Sequence, residues 1–181
     1  PDLYKNLGCE VIELYSEVDG NFPNHHPDPG KVDNLKDLIQ AVKTHGADLG
    51  LAFDGDGDRV GMVTNNGEIV FPDKILMMLS KDVLHSQKGS IIFDVKCSNA
   101  LSQIIKENGG SPIMSPTGHF HIKNGIKEHN PLRAGDLWGH IFLARNSEIA
   151  DPQNAALGVR RVFWNEGHEI HPLHDLESHL C

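Results

Sequence analysis

The sequence predicts an α/β fold with a largely parallel or mixed sheet, and three observations carry that expectation. Short apolar runs, Leu49-Gly50-Leu51-Ala52-Phe53 and Ile91-Ile92-Phe93, end abruptly in polar loops, as buried strands do. Stretches with apolar residues at helical spacing alternate with them along the chain, which is the pattern of strand-helix units feeding a largely parallel or mixed sheet. Gly46 and the pair Gly109-Gly110 close two of those stretches, where a helix commonly ends.

Taken in order, residues 11–15 alternate weakly like a strand and would leave an open, association-prone sheet edge. A loop rich in Pro, Asn and His follows, from 19 to 31, and contains Phe22-Pro23-Asn24-His25-His26-Pro27. Asp33 is placed to cap a helix whose Leu35, Leu38, Ile39 and Val42 share one face. After the strand at 49–53 come strands at 60–64 and 68–71, joined by Asn65-Asn66-Gly67, a strong hairpin signal. A helix over 74–85, capped by Asp73, leads into the strand at 90–95. Leu101, Ile104 and Ile105 mark the next helix, and Pro112-Ile113-Met114 a further short strand. Ligands of such sheets sit outside the strand ends, so the loops after Phe53, Val95 and Met114 are where function is expected.

The loop after Phe53 is the most informative. Asp54-Gly55-Asp56-Gly57-Asp58-Arg59 sets three carboxylates at alternate positions, which an extended chain turns to one side. An oxygen-only set favours Mg²⁺, Ca²⁺ or Mn²⁺ over zinc. An EF-hand reading fails, because its sixth and twelfth positions hold Arg59 and Asn65 in place of Gly and Glu. A phosphatase with Asp54 as nucleophile is weakened by Asp58, where Thr or Val is expected. A solvated acidic turn is the bland alternative, disfavoured by the mutual repulsion of three carboxylates behind an apolar strand. In the other loops, Lys96 suits a phosphate, His119 a proton transfer, and Asp136 with His140 the hydroxyls of a sugar. His25-His26 reads as loop filler, and His168, His171, His174 and His179 form no ligand set.

The chain has 181 residues, 39% of them hydrophobic, enough for one large or two small domains. A formal net charge of -9 with no Lys/Arg cluster argues against nucleic-acid binding. There is no long apolar span for a membrane, and Cys9, Cys97 and Cys181 lack paired spacing, so a reducing cytoplasm is the expected compartment. The chain opens on Pro1, as a fragment would.

In this order, Phe22-Pro23-Asn24-His25-His26-Pro27, the loop 54–59, Asp94-Val95-Lys96-Cys97, Thr117-Gly118-His119 and the loop 135–140 resemble the α-D-phosphohexomutases over residues 1–143, the bacterial branch acting on mannose and glucose phosphates above all. The resemblance implies a three-layer α/β/α architecture with mixed sheets: the latter part of that family's second domain over 1–70, with the metal loop, and most of its third over 71–143, with the sugar-recognition loop. It implies Mg²⁺ on Asp54, Asp56 and Asp58, with Arg59 beside the transfer centre. Lys96 and His119 would be the active-site base and its phosphate-contacting neighbour, without saying which is which. Asp136, Trp138 and His140 would be sugar contacts. The partners implied are a hexose phosphate and a hexose 1,6-bisphosphate.

The chain departs from the pattern in three places. The family's Ser-His-Asn-Pro, which carries the phosphoryl group, is absent, as is the phosphate-clamping domain, so turnover by this chain alone is not expected. Asp136 and Trp138 stand where Glu and Ser are usual, in Gly135-Asp136-Leu137-Trp138-Gly139-His140. Residues 144–181 leave the pattern, as a shifted frame or fusion would, and read as a poorly ordered tail with a short helix around Gly158. The alternatives to a mutase fragment are a noncatalytic Mg²⁺ and sugar-phosphate module and, behind it, the aspartyl phosphatase.

Overall fold

The computed structural model describes residues 1–17, 19–143 and 155–159. Its first sheet is antiparallel, in the order β1 (Leu49–Phe53), β2 (Val60–Thr64), β3 (Ile69–Val70). Phe53 pairs with Val60, so residues 54–59 are the loop of a hairpin. The expected turn at 65–67 joins β2 to β3, with Gly67 at φ 83. Helix α1 (Asp2–Asn6) opens the chain, and helix α2 (Lys36–His45) packs on β1 through Gly50, where a Cβ would meet Val42 Cγ2 at 2.8 Å and Leu38 Cγ at 3.0 Å. A side chain there would push the helix off the strand.

The second sheet has the order β5 (Ser111–Ser115), β4 (Ser90–Asp94), β6 (Arg133–Gly135), β7 (Ile141–Leu143). Both β5 and β6 run parallel to β4, and β7 runs antiparallel to β6. Alternation along β4 sorts its side chains by face. Ile91 and Phe93 enter a core shared with α3 (Pro72–Ser86) and α4 (Asn99–Glu107). Ile92 enters a smaller core with Ile122 and Ile126 of α5 (His119–His129), Ala134 and Phe142. The sheet is thus covered on both faces, as the three-layer expectation requires. The chain leaves β4 for β5 through α4 on one face and leaves β5 for β6 through α5 on the other, so the loops after β4 and β5 depart to opposite faces at the carboxyl end of the sheet.

Helix α3 is the central packing element, burying Ile75, Leu76, Met77, Met78, Leu79, Val83 and Leu84. Full burial of such side chains contributes about 1.5–3 kcal/mol each. Val60, Met62 and Val70 of the first sheet join the same cluster, as do Ala155, Ala156 and Val159 of a helical turn at 155–159. That turn agrees with the short helix read around Gly158. The expectation for the rest of 144–181 lies outside the described residues. Among the described residues no helix is long and apolar enough to cross a membrane.

Several expected details are corrected. Residues 11–15 form no strand; Ile12, Leu14 and Tyr15 are exposed, and without a neighbouring strand their backbone groups have no ladder to join. The edges of the first sheet are instead β1 and β3, each of which pairs only with β2 among the described residues. Asp33 is not a cap: a 3-10 turn, Val32–Leu35, precedes α2, and Asp33 pairs with Lys36 at 2.7 Å. Nor is Asp73, because Pro72 starts α3 one residue earlier and Phe71 holds the cap position; the Asp73 carboxylate accepts from the backbone N–H of Ser98, 3.1 Å away. Helix α5 and strand β6 carry too few apolar residues to have been foreseen.

Candidate active site

The hairpin loop between β1 and β2 is folded around Asp54. Its Oδ1 accepts the backbone N–H groups of Asp58 (2.9 Å) and Arg59 (3.0 Å), and its Oδ2 accepts from Arg59 Nε at 2.5 Å. Arg59 is further held by Asp28 Oδ1 at 3.2 Å, a partner the sequence did not single out. Burial alone would raise the Asp54 carboxyl, but hydrogen bonds from Arg59 and Asp58 and the Arg59 charge outweigh it and hold Asp54 below the ordinary value. Asp58 moves the other way: burial, with the adjacent Asp54 and Asp56 carboxylates, raises it against the pull of His140. Carboxylate oxygens of Asp54, Asp56 and Asp58 lie within 4.8 Å of one another. Three clustered oxygens, one buried and one exposed, suit a hard divalent cation whose remaining positions are filled by water or substrate.

The second half of the site comes from the carboxyl ends of β4 and β6. At β4, the fully buried Asp94 accepts the Lys96 backbone N–H at 2.7 Å, fixing the turn that carries Lys96; its Oδ2 has no hydrogen-bond partner among the described residues. At β6, the buried Asp136 accepts the backbone N–H groups of Trp138 (3.0 Å) and His140 (3.1 Å) through Oδ1, and lies 2.6 Å from His140 Nδ1 through Oδ2. The carboxylate at 136 is therefore a scaffold within its own loop. Asp94 escaped sequence reading as a site residue, although an acid closing an apolar run such as Ile91-Ile92-Phe93 is the available signal.

His140 joins the two halves. Its Nε2 lies 3.4 Å from Asp58 Oδ2, so one imidazole bridges a carboxylate of the hairpin loop and one of the loop after β6. Burial lowers the His140 pKa, but Asp136 and Asp58 outweigh it, and the ring is held above its ordinary value. The backbone makes a second link. Val60 N–H donates to Gly139 C=O at 3.2 Å, and Gly139 has φ 103 with no room for a side chain: a Cβ would stand 2.9 Å from Val60 O. His119, at the first turn of α5, stacks on His140 with ring centroids 4.9 Å apart and rests against Phe142. Burial, then the nearby Lys123 and His140, lower its pKa, and its Nε2 is buried without a partner among the described residues.

All nine residues singled out from the sequence converge here. Asp54, Asp56, Asp58, Arg59, Trp138 and His140 line one open cavity of about 360 Å³, Asp136 and His119 back His140, and Lys96 Nζ sits 5.5 Å from the centroid of the Trp138 ring. The arrangement offers a cation site, fixed positive charge and a partly buried imidazole around one polar hollow, a set suited to holding a phosphorylated, hydroxyl-rich molecule.

Comparison with known proteins bears on this geometry. Residues 1–67 match the family model for phosphoglucomutase/phosphomannomutase, alpha/beta/alpha domain II, and residues 71–178 that for domain III, past the position 143 where the motif likeness ends. The chain is 61% identical over 143 residues to a phosphomannomutase/phosphoglucomutase of Pseudomonas syringae pv. tomato, covering 78% of this chain and 31% of that protein. It is 55% identical over 141 residues to a phosphoglucomutase of Neisseria gonorrhoeae, covering 77% and 31%. A crystal structure of a phosphoglucomutase/phosphomannomutase family protein from Burkholderia thailandensis superposes with a TM-score of 0.89 at 40% identity, over 98% of this chain and 38% of that one. The chain spans about a third of the length of the curated relatives it matches.

Proposed function

The chain belongs to the phosphoglucomutase/phosphomannomutase family, and from that premise we propose that it supplies the metal-binding and sugar-binding part of an enzyme interconverting hexose 1-phosphate and hexose 6-phosphate. The sugar is mannose or glucose, the compartment is the cytoplasm, and the reaction runs through a phosphoserine and a hexose 1,6-bisphosphate. The junction between its second-domain and third-domain portions lies near residue 70. The observation that carries the reading is the bridge through His140, which puts the carboxylate loop and the sugar loop on one cavity.

Asp54, Asp56 and Asp58 would hold Mg²⁺, which when bound offsets the negative charge of a phosphoryl group. Arg59, locked by Asp54 and Asp28, contributes a cation that does not have to be reoriented when the substrate arrives. His119, whose pKa is lowered by burial, is suited to take a proton from a sugar hydroxyl, and Lys96 to bind the phosphate. Trp138 and His140 border the space left for the sugar, with Asp136 setting their positions. The shorter reach of Asp136 is consistent with that scaffolding role. The sequence contains no Ser-His-Asn-Pro, so the phosphoryl carrier is not among these 181 residues. That absence favours a second reading, a noncatalytic module for Mg²⁺ and sugar phosphate. Phosphatase chemistry on Asp54 is disfavoured, since both its oxygens are engaged by Arg59 and the loop backbone.

Calorimetry with glucose 1,6-bisphosphate, with and without Mg²⁺, tests the reading. Binding that needs Mg²⁺ and weakens in Asp56→Asn is expected, and a folded sample that gives no heat refutes it. A mutase assay with mannose 1-phosphate, Mg²⁺ and the bisphosphate should show no turnover by this chain; turnover would mean that another residue carries the phosphoryl group.

A further inference from the structure

Lys96 and Trp138 meet because the fold brings them together. Lys96 lies in the turn after β4 and Trp138 in the turn after β6, and these strands are parallel neighbours. Each turn is pinned by a buried carboxylate: Asp94 takes the Lys96 N–H at 2.7 Å, and Asp136 takes the Trp138 N–H at 3.0 Å. The side chains are left free to find each other, and the Lys96 ammonium settles over the indole, 5.5 Å from its centroid. The indole is half exposed, at 53%, and borders the cavity, whereas Lys96 does not form part of that lining.

We propose that Trp138 is a positioning residue that holds the Lys96 ammonium at the rim of the cavity in the free protein and releases it to the phosphate of an arriving sugar phosphate. This rests on the substrate reading above and adds to it a residue whose task is to place another. The physical basis is a difference in strength. An exposed contact between an ammonium and an aromatic face is weak, while a phosphate dianion a few ångströms away attracts the same ammonium far more strongly. The flexible four-carbon stem of lysine lets the charge swing between the two without moving the pinned backbone. Because the aromatic contact is lost on binding, Trp138 lowers the apparent affinity for phosphate. A small hydroxyl side chain at this position offers no such resting place.

The test uses the full chain carrying Trp164→Phe, so that Trp138 is the remaining indole. In the absence of ligand, Lys96→Met should change the Trp138 emission, because a charge leaves the ring face; an unchanged spectrum overturns the proposal. Titration with glucose 1,6-bisphosphate and Mg²⁺ should then move the emission of the protein that retains Lys96, and calorimetry on the same samples reports binding independently. Heat without an emission change overturns the hand-over alone. No heat overturns the substrate reading and the hand-over together, so the two failures are told apart. A double-mutant cycle completes the test. The effect of Trp138→Leu on bisphosphate affinity should differ by roughly two- to five-fold according to whether Lys96 is retained or replaced through Lys96→Met, with the loss smaller, or turned to a gain, where Lys96 is present. Additive effects overturn the proposal.

Discussion

Gly139→Ala should damage this protein more than its single added methyl group suggests. The backbone of Gly139 has φ 103, a region that alanine adopts at a cost of about 1–3 kcal/mol. The new Cβ would stand 2.9 Å from Val60 O and 3.3 Å from Val60 N, both of them backbone atoms that no side-chain rotation can clear. Relief of that clash separates the two loops and breaks the hydrogen bond from Val60 N–H to Gly139 C=O, worth a further ~0.5–1.5 kcal/mol. The sum is about 1.5–4.5 kcal/mol, which for a chain of this size lowers Tm by roughly 3–18 °C. Gly57→Ala is the control: its φ is 72, also left-handed, but no atom lies within 4 Å of the added Cβ, so only about 1–2 kcal/mol of backbone strain is expected. Urea unfolding followed by circular dichroism measures both variants. If Gly139→Ala falls within about 0.5 kcal/mol of Gly57→Ala, close packing between the loops is not what reserves position 139 for glycine.

Two further expectations follow from the electrostatics. Asp54→Asn places an amide donor among the N–H groups that Asp54 now accepts, and should cost about 1–3 kcal/mol in chelator-treated protein; Asp56→Asn, at an exposed position, should leave stability unchanged or slightly raised by removing repulsion. Equal losses in thermal melts would refute that division between a structural and a purely ligating carboxylate. The His119 pKa is lowered by burial, so between its folded value and the unfolded value of about 6.5 the unfolded chain binds more protons. Its contribution to stability is full above pH ~6.5 and is lost as pH falls below it. His119→Phe should therefore lose less Tm than the parent between pH 7 and about 5.5, and an equal loss would exclude His119 as a source of acid sensitivity.

The carboxylate loop could be read from the sequence because its information is local. Alternate spacing after an apolar strand turns Asp54, Asp56 and Asp58 to one side whatever the rest of the chain does. The strands around Phe53 and Phe93 were legible for the same reason. The bridge from Asp58 through His140 to Asp136 was not, because strand order, which no short window encodes, brings those loops together. Helix α5 was missed because Ile122 and Ile126 are its only buried apolar residues and Gly125 sits between them. Residues 11–15 erred in the opposite sense, since weak alternation there had no partner strand to make it a strand.

The likeness to known proteins divides this chain between residues 67 and 71, just before α3 begins. Its packing does not. Val60, Met62 and Val70 from one side of that line and Ile75 to Leu84, Ile91 and Phe93 from the other lie in a single continuous cluster. A chain cut at the line would leave the first piece without the helix that covers its sheet and the second with an apolar helix face bared to water. The units that sequence likeness marks out and the unit that shares a core are therefore different here. Amide protons of β2 and of β4 should exchange together, through one opening, despite belonging to differently numbered domains.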